Sequence, residues 1–213
     1  MEKIVKGEAR KQIMDTAEAL FAKRGIEGVS LRTINSAAGV SPGVLHYHFG
    51  SREVLVAELI NRHIGTLSQA IMERLRPLDL QPQPTVSDIL KALILPLAEL
   101  GLHTDKADNN YLGFIARLHL ERSPLLKEVS ASYQHIVDKT NSLLGKALPM
   151  LDTDSINFRL NCASDIALHR LALITRHQRP ISAPGMAPSS PQQQLTMLLD
   201  FLNAAVTGIK PDQ

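Results

Sequence analysis

Apolar residues recur every three or four positions in almost every segment of the chain, and alternating β-branched runs are scarce. The pattern therefore predicts helices and no strands. Ile13, Ala17, Leu20 and Phe21 share one face of a first helix that ends near Arg24, with Gly25 in the position of a left-handed cap. Ser30 caps a second helix of barely two turns, expected to bury Leu31, Ile34, Ala37 and Ala38 and to stop at Gly39. Ser41, as N-cap, and Pro42, at the first helical position, open a third helix that runs to about Phe49. Gly50 and Ser51 break and recap the chain. A long amphipathic helix follows, with Leu55, Leu59, Ile60, Ile64, Leu67 and Ile71 on its apolar side, as far as Pro77.

Three prolines in the segment Pro77 to Pro84 predict a loop, and Thr85-Val-Ser-Asp88 matches a capping box at the start of a fifth helix, Val86 to Leu102, kinked or broken at Pro96. His103 to Asn110 reads as a loop. A sixth helix spans Tyr111 to Arg122, Ser123-Pro124 opens a seventh towards Leu148, and Asp152 to Asp154 cap an eighth that reaches about His177. Pro180, Pro184, Pro188 and Pro191 bracket a surface loop. Ser190 with Gln193 then caps a ninth helix through Leu195, Leu198, Leu199, Leu202 and Val206 to Gly208. The fold class is all-α with about nine helices. A three-helix module occupies residues 1–52, its short helix pair within about residues 30–50, and a larger helical module occupies 53–213.

Composition narrows this only a little. With 44% apolar and 21% charged residues the chain is globular in texture, not disordered. The net charge of +2 says nothing of nucleic acid, but up to position 52 basic residues outnumber acidic ones eight to five. The lone cysteine, Cys162, cannot pair internally. It falls in an apolar helical pattern with Ala163 and Ile166 and reads as a small core residue. Neither a signal-peptide pattern nor an apolar run of about 18 residues is seen, so a soluble cytoplasmic protein with no membrane partner is expected.

Two short helices joined by a glycine-containing turn have the layout of a helix-turn-helix. Within it, Leu45 and Phe49 are one turn apart and can pack inward, leaving Gly43, Val44, His46, Tyr47 and His48 outside. Pro42 and Gly43 keep the helix start slim, and Val44 suits apolar contact with a thymine methyl. Tyr47 and His48 suit phosphate contacts, as do Arg32 and Thr33 at the start of the second helix, Ser41, and Arg52 at the start of the fourth.

Ser30-Leu-Arg-Thr-Ile, Ala37-Ala-Gly-Val-Ser41 and Gly43-Val-Leu-His-Tyr-His-Phe-Gly-Ser-Arg52, preceded by Ala19-Leu-Phe-Ala-Lys-Arg-Gly25, resemble the N-terminal signature of the TetR family of transcriptional regulators. The likeness covers about Arg10 to Leu59. Family members often touch the DNA backbone at the position of Tyr47; they commonly have tyrosine at the position of His46 and lysine at that of Gly50. The resemblance implies a repressor that is a homodimer on double-stranded operator DNA, controlled by a small-molecule effector, with neither cofactor nor metal.

Two further sets of residues follow from it. Helices eight and nine carry more apolar surface than one core covers, and the resemblance implies a four-helix dimer interface, assigned here to Ile156, Leu160, Ala163, Ala167, Leu171, Leu195, Leu198 and Leu202. It also implies a pocket for a mostly apolar effector among helices four to eight, assigned to Leu67, Phe114, Arg117, Leu118, His119, Tyr133 and Ile136. The residues themselves fit an ordinary core as well.

Two rivals stand beside this reading. Gly39-Val-Ser-Pro-Gly43 matches the hydrolase pattern G-x-S-x-G, but that elbow needs a strand before the serine. A helical adaptor without DNA fits the long apolar helices but not the basic start or the short pair. His46 and His48 lie on different sides of a helix, and no second cluster has zinc spacing.

Overall fold

In the computed structural model the residues described are 6–102, 110–121, 124–175 and 190–208, and among them the secondary structure is nine α-helices with no strand. They are α1 Lys6–Arg24, α2 Leu31–Ala38, α3 Pro42–Phe49, α4 Arg52–Asp79, α5 Val86–Leu102, α6 Tyr111–Leu120, α7 Leu126–Ala147, α8 Thr153–Thr175 and α9 Pro191–Thr207.

Local chemistry sets most of these bounds. The Ser30 hydroxyl accepts the Thr33 N–H (3.1 Å) at the start of α2, and Ser51 does the same for Val54 (3.3 Å) at the start of α4. Thr85 accepts from Asp88 (3.1 Å) and Asp152 from Ser155 (2.7 Å) at the starts of α5 and α8. Ser190 and Gln193 form a complete capping box on α9.

Four local expectations are corrected. Helix α4 passes through Pro77 to Asp79, because Leu78 is buried and Lys139 and Lys146 of α7 hold the Asp79 carboxylate (2.7 and 2.9 Å), offsetting the hydrogen bond that proline omits. Helix α6 ends at Leu120, before Arg122. On α2, Ala37 is exposed and Asn35 is buried instead, since the face that meets α1 runs through Ile34, Asn35 and Ala38. Cys162 is exposed, because the buried line of α8 runs through Leu160, Ala163 and Ala167. Helix α5 continues through the buried Pro96. Ser123, the His177 end of α8 and the loop from Pro180 to Pro188 lie outside the described residues.

One buried apolar cluster runs from the N-terminal helices into the larger module. Phe21 of α1 faces Phe114 of α6, ring centroids 6.0 Å apart. Arg62 of α4 binds Asp15 (2.5 Å) and the fully buried Glu18 (3.3 Å) of α1. Burial pushes the Asp15 carboxyl up, but hydrogen bonds from Lys11 and Arg62 more than reverse this and hold it below its ordinary value. At Gly101 a Cβ would collide with Cγ2 of the buried Thr175, so α5 and α8 approach as closely as they do only because this residue has no side chain.

Candidate DNA-binding surface and effector cavity

The turn between α2 and α3 is fixed by Gly39, at φ +64°, whose N–H closes onto the last carbonyls of α2. No atom lies within 4 Å of a Cβ placed there, so the left-handed backbone, not space, requires glycine. Ile34 and Ala38 of α2 and Leu45 and Phe49 of α3 are buried, which locks the two helices together and sets the roll of α3. The residues preceding Ser41 are helical, so Gly39-Val-Ser-Pro-Gly43 lacks the strand of a nucleophile elbow.

With that roll, Gly43, His46 and Tyr47 are exposed, and Val44 and His48 are half-buried. Tyr47 is 67% exposed, its ring edge-on to His48 at 5.2 Å. Ser41 holds the N-cap backbone conformation, yet its side chain makes no capping hydrogen bond; Ser41 and Pro42 are exposed. Arg32 is exposed on the first turn of α2. Thr33 is more committed, its N–H and hydroxyl both engaged with Ser30. Arg52 turns back to the α1–α2 connection, where its guanidinium meets Glu27 (3.2 Å) and the Ile26 carbonyl (3.4 Å).

A cavity of about 380 Å³ lies among α4 to α8. Leu67 and Ile71 of α4, Leu93 and Leu97 of α5 and Leu160 and Leu168 of α8 supply apolar wall, and Tyr111, Ile115 and His119 of α6 and Tyr133, Ile136 and Thr140 of α7 close it. Of the residues chosen from sequence, Leu67, His119, Tyr133 and Ile136 line it. Phe114, Arg117 and Leu118 do not: Phe114 faces Phe21 of α1, and Leu118, one turn further, is fully buried without reaching the cavity. The spacing of Tyr111, Ile115 and His119, each one turn apart, was the signal that separates the two faces of α6.

The cavity's polar groups differ in state. Tyr111 donates to the Ile60 carbonyl of α4 (3.0 Å), and burial raises its pKa. Burial pushes Tyr133 up to about 12. Burial lowers the His119 pKa, partly countered by Asp165, 4.0 Å away. Thr140 is 1% exposed, and its hydroxyl has no hydrogen-bond partner.

Helix α6 thus carries cavity residues on one side and contacts to the N-terminal helices on the other. At its end the Glu121 carboxylate accepts the Ile26 N–H (3.1 Å) beside Gly25, whose φ is +79°. A Cβ at Gly25 would collide with that carboxylate.

The residues assigned to a dimer contact face inward in this chain. Ile156, Leu160, Ala163, Ala167, Leu171, Leu195, Leu198 and Leu202 are all buried within the single chain: Leu160, Ala163 and Ala167 line the cavity, and α8 and α9 pack on one another, on α5 and, for α8, on α6. The large apolar residues left outside on the same helices are Phe158 (70% exposed), Ile166, Met197 and Phe201 (56%), with Cys162 also exposed on α8.

Residues 13–59 match the family model for bacterial regulatory proteins, tetR family, and residues 91–205 match the tetracyclin repressor-like C-terminal domain. Among curated relatives, the HTH-type transcriptional repressor KstR2 of Rhodococcus jostii is 38% identical over 58 residues, 27% of this chain and 28% of that protein. The HTH-type transcriptional regulator YerO of Bacillus subtilis is 27% identical over 142 residues, 66% of this chain and 46% of that protein. The matched stretches span less than half of these relatives' own length. Among solved structures, a TetR-like transcriptional regulator from Rhodococcus sp. RHA1 superposes with a TM-score of 0.64 at 18% identity, covering 97% of this chain and 100% of that one. AibR in complex with isovaleryl coenzyme A and operator DNA gives 0.61 at 16% identity, covering 94% and 98%. At these identities the likeness is one of fold.

Proposed function

The chain belongs to the TetR family of bacterial regulatory proteins, and from that premise we propose that it is a cytoplasmic, dimeric transcriptional repressor whose grip on operator DNA is set by a small, mostly apolar effector. Residues 1–52 bind DNA, and 53–213 hold the effector and the dimer contact. The observation that carries the reading is the roll of α3: Leu45 and Phe49 are buried, so Gly43, His46 and Tyr47 stand outward at a slim helix start. Val44 and His46 read base edges, each good contact worth about 1 to 3 kcal/mol of discrimination, while Tyr47, His48, Arg32 and Ser41 hold phosphates. The ion-paired Arg52 and the internally bonded Thr33 play supporting parts, orienting the turn and capping α2.

Two recognition helices require two subunits. The exposed apolar side of α8 and α9, at Phe158, Ile166, Met197 and Phe201, is the surface for a second copy. The effector occupies the cavity among α4 to α8. Helix α6 is the element that both sites bias, since Tyr111 and His119 line the cavity while Phe114 and Glu121 meet α1 and the turn after it. The effector acts only through its differential affinity for the two head positions, typically about 1 to 3 kcal/mol.

Fluorescence anisotropy of genomic fragments, in a salt series, tests this. Tyr47→Ala weakens every fragment and flattens the salt dependence, whereas Val44→Ala and His46→Ala change which fragment is preferred. Unchanged binding by the Tyr47 variant removes that contact from the proposal.

A further inference from the structure

We propose that the cavity selects an uncharged, mostly apolar effector that offers one hydrogen-bonding group to the Thr140 hydroxyl, and that it rejects carboxylates of the same size. The inference rests on reading this cavity as the effector site. Thr140 stands on α7 with 1% of its surface exposed, lines the cavity, and has no hydrogen-bond partner for Oγ1. A buried hydroxyl left unpaired is costly, and a ligand hydroxyl or carbonyl that reaches it recovers the lost bond. Much of the lining it shares is apolar, with Ile136 one turn earlier on α7 and Leu67, Leu93 and Leu160 on other helices. The Tyr111 hydroxyl, which also lines the cavity, is already spent on the Ile60 carbonyl.

The charge argument is independent. Among the described residues, no lysine or arginine lines the cavity, and its one carboxylate, Asp165, stands on the exposed face of α8. His119 beside it is held towards the neutral form by burial. A carboxylate entering this site loses its hydration without meeting a cation, and it meets the field of Asp165. A volume of about 380 Å³ lies at the small end of the ~300 to 1,000 Å³ common for ligand sites.

The test uses the full chain and a hydrocarbon probe without polar groups, 1,6-diphenylhexatriene, whose fluorescence rises in apolar surroundings. It is displaced with 1-octanol and with octanoate at about pH 8, where histidine is neutral. The expected result is displacement by octanol at concentrations about tenfold or more below those of octanoate. Thr140→Val, nearly equal in volume, weakens octanol about fivefold and leaves probe binding within about twofold. Octanoate competing as well as octanol overturns the proposal, and so does a Thr140→Val variant that binds octanol as before. Failure of the probe to bind, or binding that Ile136→Trp does not block, overturns this inference together with the cavity reading. Octanol selectivity as stated, with operator affinity unchanged by octanol, upholds the ligand class and refutes the control of DNA binding.

Discussion

In the head, the outward residues His46 and Tyr47 of α3 share that short helix with residues whose burial fixes their direction. Leu45 and Phe49 go inside, and so His46 and Tyr47 point out. The body offers no such neighbour rule. On α9, Leu198 and Leu202 are buried while Met197 and Phe201, one position away from each, are exposed, and all four are large and apolar. The head meets a polar partner, so its working surface differs in kind from its core. On the reading proposed above, the body meets an apolar ligand and an apolar partner, so three different surfaces are built from the same residue types.

The sharpest way to break that comparison is to truncate both faces of α8 and α9. Leu171→Ala and Leu202→Ala should each cost about 2 to 5 kcal/mol in urea unfolding, since both side chains are fully buried in the chain itself. Phe158→Ser with Phe201→Ser removes side chains that are mostly exposed, so the fold persists and light scattering reports monomers. Leu202→Ala giving a well-folded monomer would restore the sequence assignment of that face to the interface.

Glycines sharpen it next. Gly101→Ala drives a methyl into Thr175 at the α5–α8 crossing and should cost about 1 to 3 kcal/mol. Gly43→Ala meets nothing within 4 Å and sits in a helix without positive φ, so thermal unfolding is unchanged or moves up by the equivalent of about 0.5 to 1 kcal/mol. On the proposed DNA contact, operator affinity should nonetheless fall, because there the methyl stands where α3 approaches the bases. Equal stability losses for the two variants contradict the packing described at both sites.

Most of the fold was legible because helix ends have local causes. Ser30, Ser51, Asp152 and Ser190 cap through hydrogen bonds to backbone three residues away, an arrangement the chain spells out without tertiary knowledge. Pro77 misled because its effect is overruled by remote groups, Lys139 and Lys146, that no local pattern names. Phe114 and His119 lie on one helix only five residues apart, yet one meets α1 and the other the cavity. Which is which depends on where α1 and α7 lie. Thr140 escaped for the same reason, since a threonine in an amphipathic helix is unremarkable until its hydroxyl is found buried and unpaired.

Within the head, the two serine caps should separate. Ser30→Ala removes a hydroxyl that accepts the Thr33 N–H and should cost about 1 kcal/mol. Ser41→Ala removes a hydroxyl with no capping bond, so chemical unfolding should move by well under that amount, even though both serines have the same position in the sequence pattern.

The smallest expected effect comes from the acidic clamps on α4. Asp15 ties α1 to Arg62, and Asp79 ties the far end to Lys139 and Lys146. Hydrogen bonds from the two lysines lower the Asp79 pKa from 3.8 to about 2. A carboxyl depressed on folding favours the folded state above its unfolded pKa, and that contribution disappears as pH falls through the folded value. Stability from Asp79 is therefore intact above about pH 4, declines between there and about pH 2, and is absent below. Asp79→Asn flattens this part of the acid limb of a pH-dependent melting curve and does nothing to its slope near neutrality. Asp15, also held below its ordinary value, shifts the limb in the same direction, but its loss frees the seam between head and body. Of the two variants, Asp15→Asn should therefore also loosen α1, read as faster amide exchange there. Because Asp79 is open to solvent, its contribution fades in high salt. A limb that stays steep in the asparagine variant at low salt would show that the lysines do not grip Asp79 in solution.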